Sequence, residues 1–267
     1  MNVPNPYRQT SPYPKPVMFS NLPLENLIRE KALQLSYTSD EQRLIQQIAD
    51  HLRLSVKDKH NFGESLLGGS FLRGTLVKNQ GIINIYFEFI GSGTPRTALN
   101  LLRNNMQQSH PDLNVRLENS TVQLEFQGIP YTLTPFLKST ADNIKIPNET
   151  LSGWKSINAK LLEVSVRSLT MRGKDFLHLI KVLKHWNSVY KTGLKNHRIE
   201  EMVCNLFIGQ QRTGSSVDYW LYNFFKYYRY NTAAETVKEL LKMGNEPAEL
   251  KQKWEQFIDN KQPQGWA

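Results

Sequence analysis

Hydrophobic positions recur along this chain at two different periods. Between 82 and 90 they alternate, with Ile83, Ile85, Phe87 and Phe89 set against Ile82, Asn84, Tyr86 and Glu88. A period of two predicts a strand with one buried face. VQLEFQ (122–127) and PYTLTPF (130–136) flank Gly128-Ile129 and predict a hairpin turning at those two residues. Elsewhere the period is helical. Residues 24–35 predict a short amphipathic helix, and Leu44, Ile45, Ile48, Leu52 and Val56 predict a longer one capped by Ser39. A further helix is predicted around 97–107. From about Asn148 onward the pattern is helical, over 152–170, 174–190, 199–208, 216–230 and 233–258, with a break near Gly244–Pro247. Pro4, Pro6, Pro12, Pro14 and Pro16 keep residues 1–20 from being helical. The pattern divides the chain into a proline-rich arm (1–20), helices and a sheet (21–140) and a helical lobe (141–267).

Composition narrows the class. The chain has 267 residues, 39% of them hydrophobic, enough for a substantial core. One cysteine, Cys204, excludes an intrachain disulfide framework and a multi-cysteine zinc site, and fits a cytoplasmic protein. Its place in the apolar stretch Met202–Phe207 predicts a buried, inert thiol. The six histidines are scattered, without a metal-ligating spacing. No apolar run reaches the ~18 residues of a membrane span, so no membrane insertion is expected. Lys plus Arg number 33 against 24 Asp plus Glu, a formal charge of +9. That excess suits either a polyanionic partner or solubility alone.

The most informative string is Gly69-Ser70-Phe71-Leu72-Arg73-Gly74-Thr75, directly after strand-like residues. A Gly-Ser turn lets backbone N–H groups and a hydroxyl close on phosphate oxygens. GSFLRGT followed by a short loop and a strand resembles the polymerase-β-type nucleotidyltransferases. It is most similar to the branch containing cyclic GMP-AMP synthase, oligoadenylate synthases and bacterial cyclic-oligonucleotide synthases. The helix ALNLLRNNMQQSHP, the hairpin ending at Pro135, the helix FLHLIKVLKHWN and the segment Asn196-His197-Arg198-Ile199-Glu200 continue the resemblance over about residues 40–230. It implies an α+β, bilobal nucleotidyltransferase fold, with a small mixed β-sheet palm and an α-helical lobe.

In that family three carboxylates hold two metal ions that clamp the attacking and leaving oxygens. The matching positions here are Ile82, Asn84 and Thr132. None is an acid, and divalent ions such as Mg²⁺ favour anionic oxygens. With the hairpin turning at Gly128-Ile129, Glu125 would lie opposite Thr132 as a single residual acid, too few for a two-metal site. The phosphate-gripping elements are better kept. The resemblance implies nucleotide contacts from Gly69, Ser70, Thr75, His178, Lys181, Asn196 and His197, with His197 in place of a base-stacking aromatic. Lys174, His178, Lys181 and His185 form one helical stripe, and Lys174, Lys184, His185 and Lys191 are expected to form an anion-binding patch. The aromatic run 218–230 reads as a helix burying Val217, Trp220, Leu221, Phe224 and Tyr228.

The leading expectation is a catalytically inactive nucleotidyltransferase-fold protein that binds a nucleotide, a cyclic oligonucleotide, RNA or a partner protein in a defence or signalling system. It needs no cofactor. The alternatives are an active enzyme with a rearranged site or a hetero-complex, which would require Mg²⁺, and a basic RNA-binding module.

Overall fold

The computed structural model describes residues 21–57, 61–140, 143–158, 160–171, 173, 175–209, 216–243 and 246–260. The alternation around 83–89 becomes β2 (Ile83–Phe89), whose odd-numbered residues are all buried. It pairs antiparallel with β1 (Phe62–Gly68) and parallel with β5 (Ile129–Lys138). Beyond β5 come β4 (Thr121–Phe126) and β3 (Arg116–Glu118), giving the order β1-β2-β5-β4-β3, while β6 (Asn143–Pro147) and β7 (Trp154–Asn158) extend from the far end of β5. The sheet is therefore mixed.

Two helices cover its apolar face: α2 (Ser39–Lys57) and α4 (Pro95–Ser109). Ile45, Ile48, Ala49 and Leu52 of α2 and Ala98, Leu99, Leu102 and Met106 of α4 share a core with Ile83, Ile85, Tyr131 and Leu133. The cap of α2 is Thr38 rather than Ser39. Thr38 Oγ1 accepts from the Glu41 amide (3.2 Å) and Glu41 Oε2 from the Thr38 amide (2.8 Å), a reciprocal capping box.

The hairpin is shifted from its expected register. Phe126 pairs with Ile129, so the turn is Gln127-Gly128, not Gly128-Ile129. Both turn residues have positive φ (51° and 75°), matching the type I′ twist that suits tight hairpins. A turn at Gly128-Ile129 would start on glycine, whereas this turn type seats glycine second. Gly128→Ala, which meets no neighbouring atom, is expected to cost about 1 kcal/mol in urea unfolding through the left-handed backbone alone.

The helical lobe comprises α1 (Leu22–Gln34), α5 (Leu161–Thr170), α6 (Asp175–Tyr190), α7 (Asn196–Gly209), α8 (Val217–Tyr227), α9 (Asn231–Lys242) and α10 (Pro247–Ile258) around a second core. The helix expected over 152–170 is shorter, because 154–158 form β7 instead. Lys155, Ser156 and Asn158 are all exposed, which suits an edge strand with two wet faces. α1 is sequence-distant from its partners yet packs on α6, α8 and α10. Asn21 fixes it there: its amide donates to buried Asp218 Oδ2 (2.9 Å), its side-chain nitrogen to the Leu241 carbonyl (3.1 Å), and its Oδ1 accepts from Leu24 N (3.1 Å). The aromatic run forms α8 and buries Val217, Trp220, Leu221 and Phe224 as expected, with Tyr228 partly buried and its hydroxyl donating to the Met202 carbonyl at 2.9 Å.

Candidate functional site

At the end of β1 the chain turns through Gly68 into the four-residue helix α3 (Gly69–Leu72). Gly69 has φ +71°, and a Cβ there would collide with the Asn84 amide; one at Gly68 would strike the Tyr86 ring. Glycines at both positions let the turn lie directly on the polar face of β2. Thr75 closes it, its amide donating to the Ser70 carbonyl at 2.9 Å.

Behind this turn lies a buried charge cluster. Glu200, on α7 and 0% exposed, accepts from Ser70 Oγ (3.0 Å), from Thr75 Oγ1, from Arg73 Nε (2.8 Å) and from Lys184 Nζ (2.5 Å). Lys184, 2% exposed, also donates to Ser70 Oγ (2.9 Å) and the Thr75 carbonyl (2.9 Å). Burial alone would push the Glu200 carboxyl up, but Lys184 and Arg73 overcome it and hold its pKa below the ordinary carboxylate value. Burial pushes the Lys184 ammonium down to about 8, with Glu200 opposing. The cluster joins three elements far apart in sequence: the Gly-Ser turn, α6 and α7. Two cations share one carboxylate, so one positive charge is left at the floor of the turn.

This geometry rearranges the roles expected from the sequence. Ser70 and Thr75 do line the turn, but their hydroxyls point inward to Glu200. Lys184 and His185 cannot form a surface anion patch, because both are largely buried. The stripe on α6 faces α1 and α10 instead of the turn. His178 Nδ1 meets Asp175 (3.3 Å), Lys181 donates to Ser36 Oγ (2.6 Å), and His185 lies between Asp259 (2.7 Å) and Gln80 (2.8 Å). Burial lowers the pKa of His178, Lys181 and His185. A helical stripe marks one face but not which neighbour it meets, and Lys184, one step round the helix, is the residue that reaches the turn. Lys174 lies outside the described residues. Lys191, Asn196 and His197 are exposed, the last two in the first turn of α7, one turn before Glu200. Cys204 is buried and its thiol is pushed up to about 12, as an inert core thiol requires.

Glu200 and Arg73 lie within the motifs, yet no role for either follows from the motifs alone. An acid among Ile199, Val203 and Cys204, all buried, is the signal that marks Glu200: a carboxylate on an apolar helix face needs a buried cation.

Of the positions that the family resemblance assigns to metal-holding carboxylates, Asn84 and Thr132 meet on the sheet. Asn84 pairs with Thr132 on adjacent parallel strands, and Thr132 pairs with Gln123 on β4. The one-step hairpin shift puts Gln123, not Glu125, opposite Thr132. Glu125 pairs with Pro130 and is exposed. The Asn84 amide donates to the Ile82 carbonyl (3.2 Å), and the Ile82 side chain is apolar. An amide, a hydroxyl and a branched hydrocarbon side chain do not fit a pair of divalent ions, which favour carboxylate oxygens. Among the described residues no group of three or more His, Cys, Asp or Glu is placed to hold a metal ion, and no helix is long and apolar enough to cross a membrane.

No curated protein sequence matches the chain. Among solved structures, Escherichia coli MS115-1 CdnC with ATP is similar at a TM-score of 0.71 and 13% identity, over 88% of this chain and 97% of CdnC. Bradyrhizobium diazoefficiens CdnG with GTP gives 0.71 and 11%, over 90% and 95%. The Vibrio cholerae cyclic AMP-GMP synthase DncV gives 0.67 and 10%, over 86% and 93%. These likenesses show the nucleotidyltransferase fold. The profile of the Second Messenger Oligonucleotide or Dinucleotide Synthetase domain matches residues 19–167, more than half of the chain, and the chain belongs to that family.

Proposed function

We propose that this chain is a non-catalytic member of its family, which binds a nucleotide or oligonucleotide at the Gly-Ser turn without a divalent ion. The observation that carries this reading is the row Asn84–Thr132–Gln123, flanked by Ile82: the platform is built, and neutral side chains occupy it. The preserved turn and the net positive charge of the Arg73–Lys184–Glu200 cluster support anion binding nearby. Exposed Asn196 and His197 could then contact a base or sugar. The family's name and the nucleotides bound to CdnC and CdnG make a nucleotide the ligand of choice. CdnC is also known in a complex with HORMA, so a protein partner in a signalling or defence system belongs to the same reading.

Radiolabelled ATP and GTP, incubated with the purified chain and Mg²⁺ or Mn²⁺, are expected to give no transfer product. Calorimetry is expected to give the same affinity for these nucleotides with EDTA as with Mg²⁺. Divalent-dependent product from the unmutated chain would instead establish the active alternative. The exposed cations Lys191, Lys195 and Arg198 support the RNA reading. Under that reading affinity for RNA falls steeply with salt.

A further inference from the structure

α5 is apolar on two sides. Leu162, Val166 and Leu169 pack into the helical core. Leu161 (65% exposed), Val164 (60%) and Met171 (85%) do not. At ~100° per residue, Leu161, Val164, Ser168 and Met171 fall within about 80° of arc, roughly opposite the buried side. Their spacing is that of a helix–helix seam, with steps of three, four and three. A helix of this kind, exposing a seam while already anchored by its other side, is a docking surface.

Charge selects the occupant. Lys160 and Arg167 border one side of the strip, Arg167 with 71% of its side chain exposed. Glu163, which pairs with Arg167 at 3.3 Å, lies further from the seam. A second copy of the chain, docked two-fold across α5, would set these cations against each other. The arm, residues 1–20, contains Arg8 and Lys15 and no acid, so it also meets like charge. We propose that the exposed strip of α5 receives an amphipathic helix of another protein, with an apolar seam and acidic residues along its flank. This surface is separate from the Gly-Ser turn and does not depend on what binds there.

The test uses the full chain and three synthetic helical peptides of about three heptads. One has a Leu seam with Glu flanks, one a Leu seam with Lys flanks, and one a Ser seam with Glu flanks. Fluorescence anisotropy at low salt is expected to give the first a Kd at least about tenfold below either of the others. Val164→Glu should remove that binding without changing the melting temperature, and Arg167→Glu should invert the preference between flanks. Met171→Gln, at the most exposed position, serves if Val164→Glu does not fold. Failure of the first peptide to bind, equal binding of the Ser-seam peptide, or indifference to Val164→Glu overturns the proposal. So does self-association in sedimentation that Val164→Glu abolishes, because the strip then belongs to a second copy.

Discussion

Replacing Glu200 by glutamine is expected to lower the melting temperature by roughly 10 °C. The residue is fully buried and is the only carboxylate paired with Lys184 and Arg73 among the described residues. Removing one partner of a buried ion pair typically costs about 3–5 kcal/mol, since the remaining charge keeps its desolvation penalty. For a chain of this size each kcal/mol moves the midpoint by about 2–4 °C. Lys184→Met combined with Glu200→Gln should recover part of the loss, because one stranded cation goes with the acid. That non-additivity, read from a double-mutant cycle in urea, separates a charge effect from a packing effect. The pH dependence follows the same carboxyl. Its folded pKa lies below the ordinary value, so its contribution is complete above the unfolded carboxylate pKa of ~4.3. It is lost as pH falls through the folded pKa. The acid limb of the stability curve should therefore flatten in Glu200→Gln. An unchanged acid limb would show that the cluster does not hold the lobes together.

The second large effect concerns the neutral side chains of the platform. Ile82→Asp, Asn84→Asp and Thr132→Asp together place three carboxylates on adjacent strands, with neighbouring Cβ atoms ~5 Å apart. Without a divalent ion the triple variant should melt well below the parent, since like charges cannot share so small a space. With Mg²⁺ it should regain several degrees; saturation at a hundredfold over Kd is worth about 2.7 kcal/mol. The parent should not respond to Mg²⁺. A parent stabilised as strongly as the triple variant would mean that Asn84 and Thr132 bind the ion themselves, and the non-catalytic reading would fail. The readout is a melting temperature, so the outcome does not depend on whether the restored site turns over.

Much of the architecture was legible because it rests on local periodicity. Alternation fixed the face of β2, and helical spacing located α2, α4 and most of the helical lobe. What was missed has local causes as well. β7 is short, polar and at a sheet edge, so it carries no alternation to read. The hairpin slipped by one step because the choice between Gln127-Gly128 and Gly128-Ile129 depends on turn handedness. That slip moved Glu125 out of the row it was expected to occupy. Side-chain roles on α6 were harder still. Lys181 and Lys184 are both cations on one helix, and only the packing of α1 against α6 sends the first to Ser36 and the second to the Gly-Ser turn.

By itself the sequence determined the family, the mixed sheet with its helical lobe, and the absence of acid at Ile82, Asn84 and Thr132. Those are properties of residue type in order along the chain, and no packing can add a carboxylate. Only the tertiary structure decided that Asn84, Thr132 and Gln123 form one row, that Glu200 closes the Gly-Ser turn from behind, and that α5 keeps an apolar side in solvent. Each of these depends on register or on contacts between residues far apart in the chain, and a pattern read one segment at a time does not contain them.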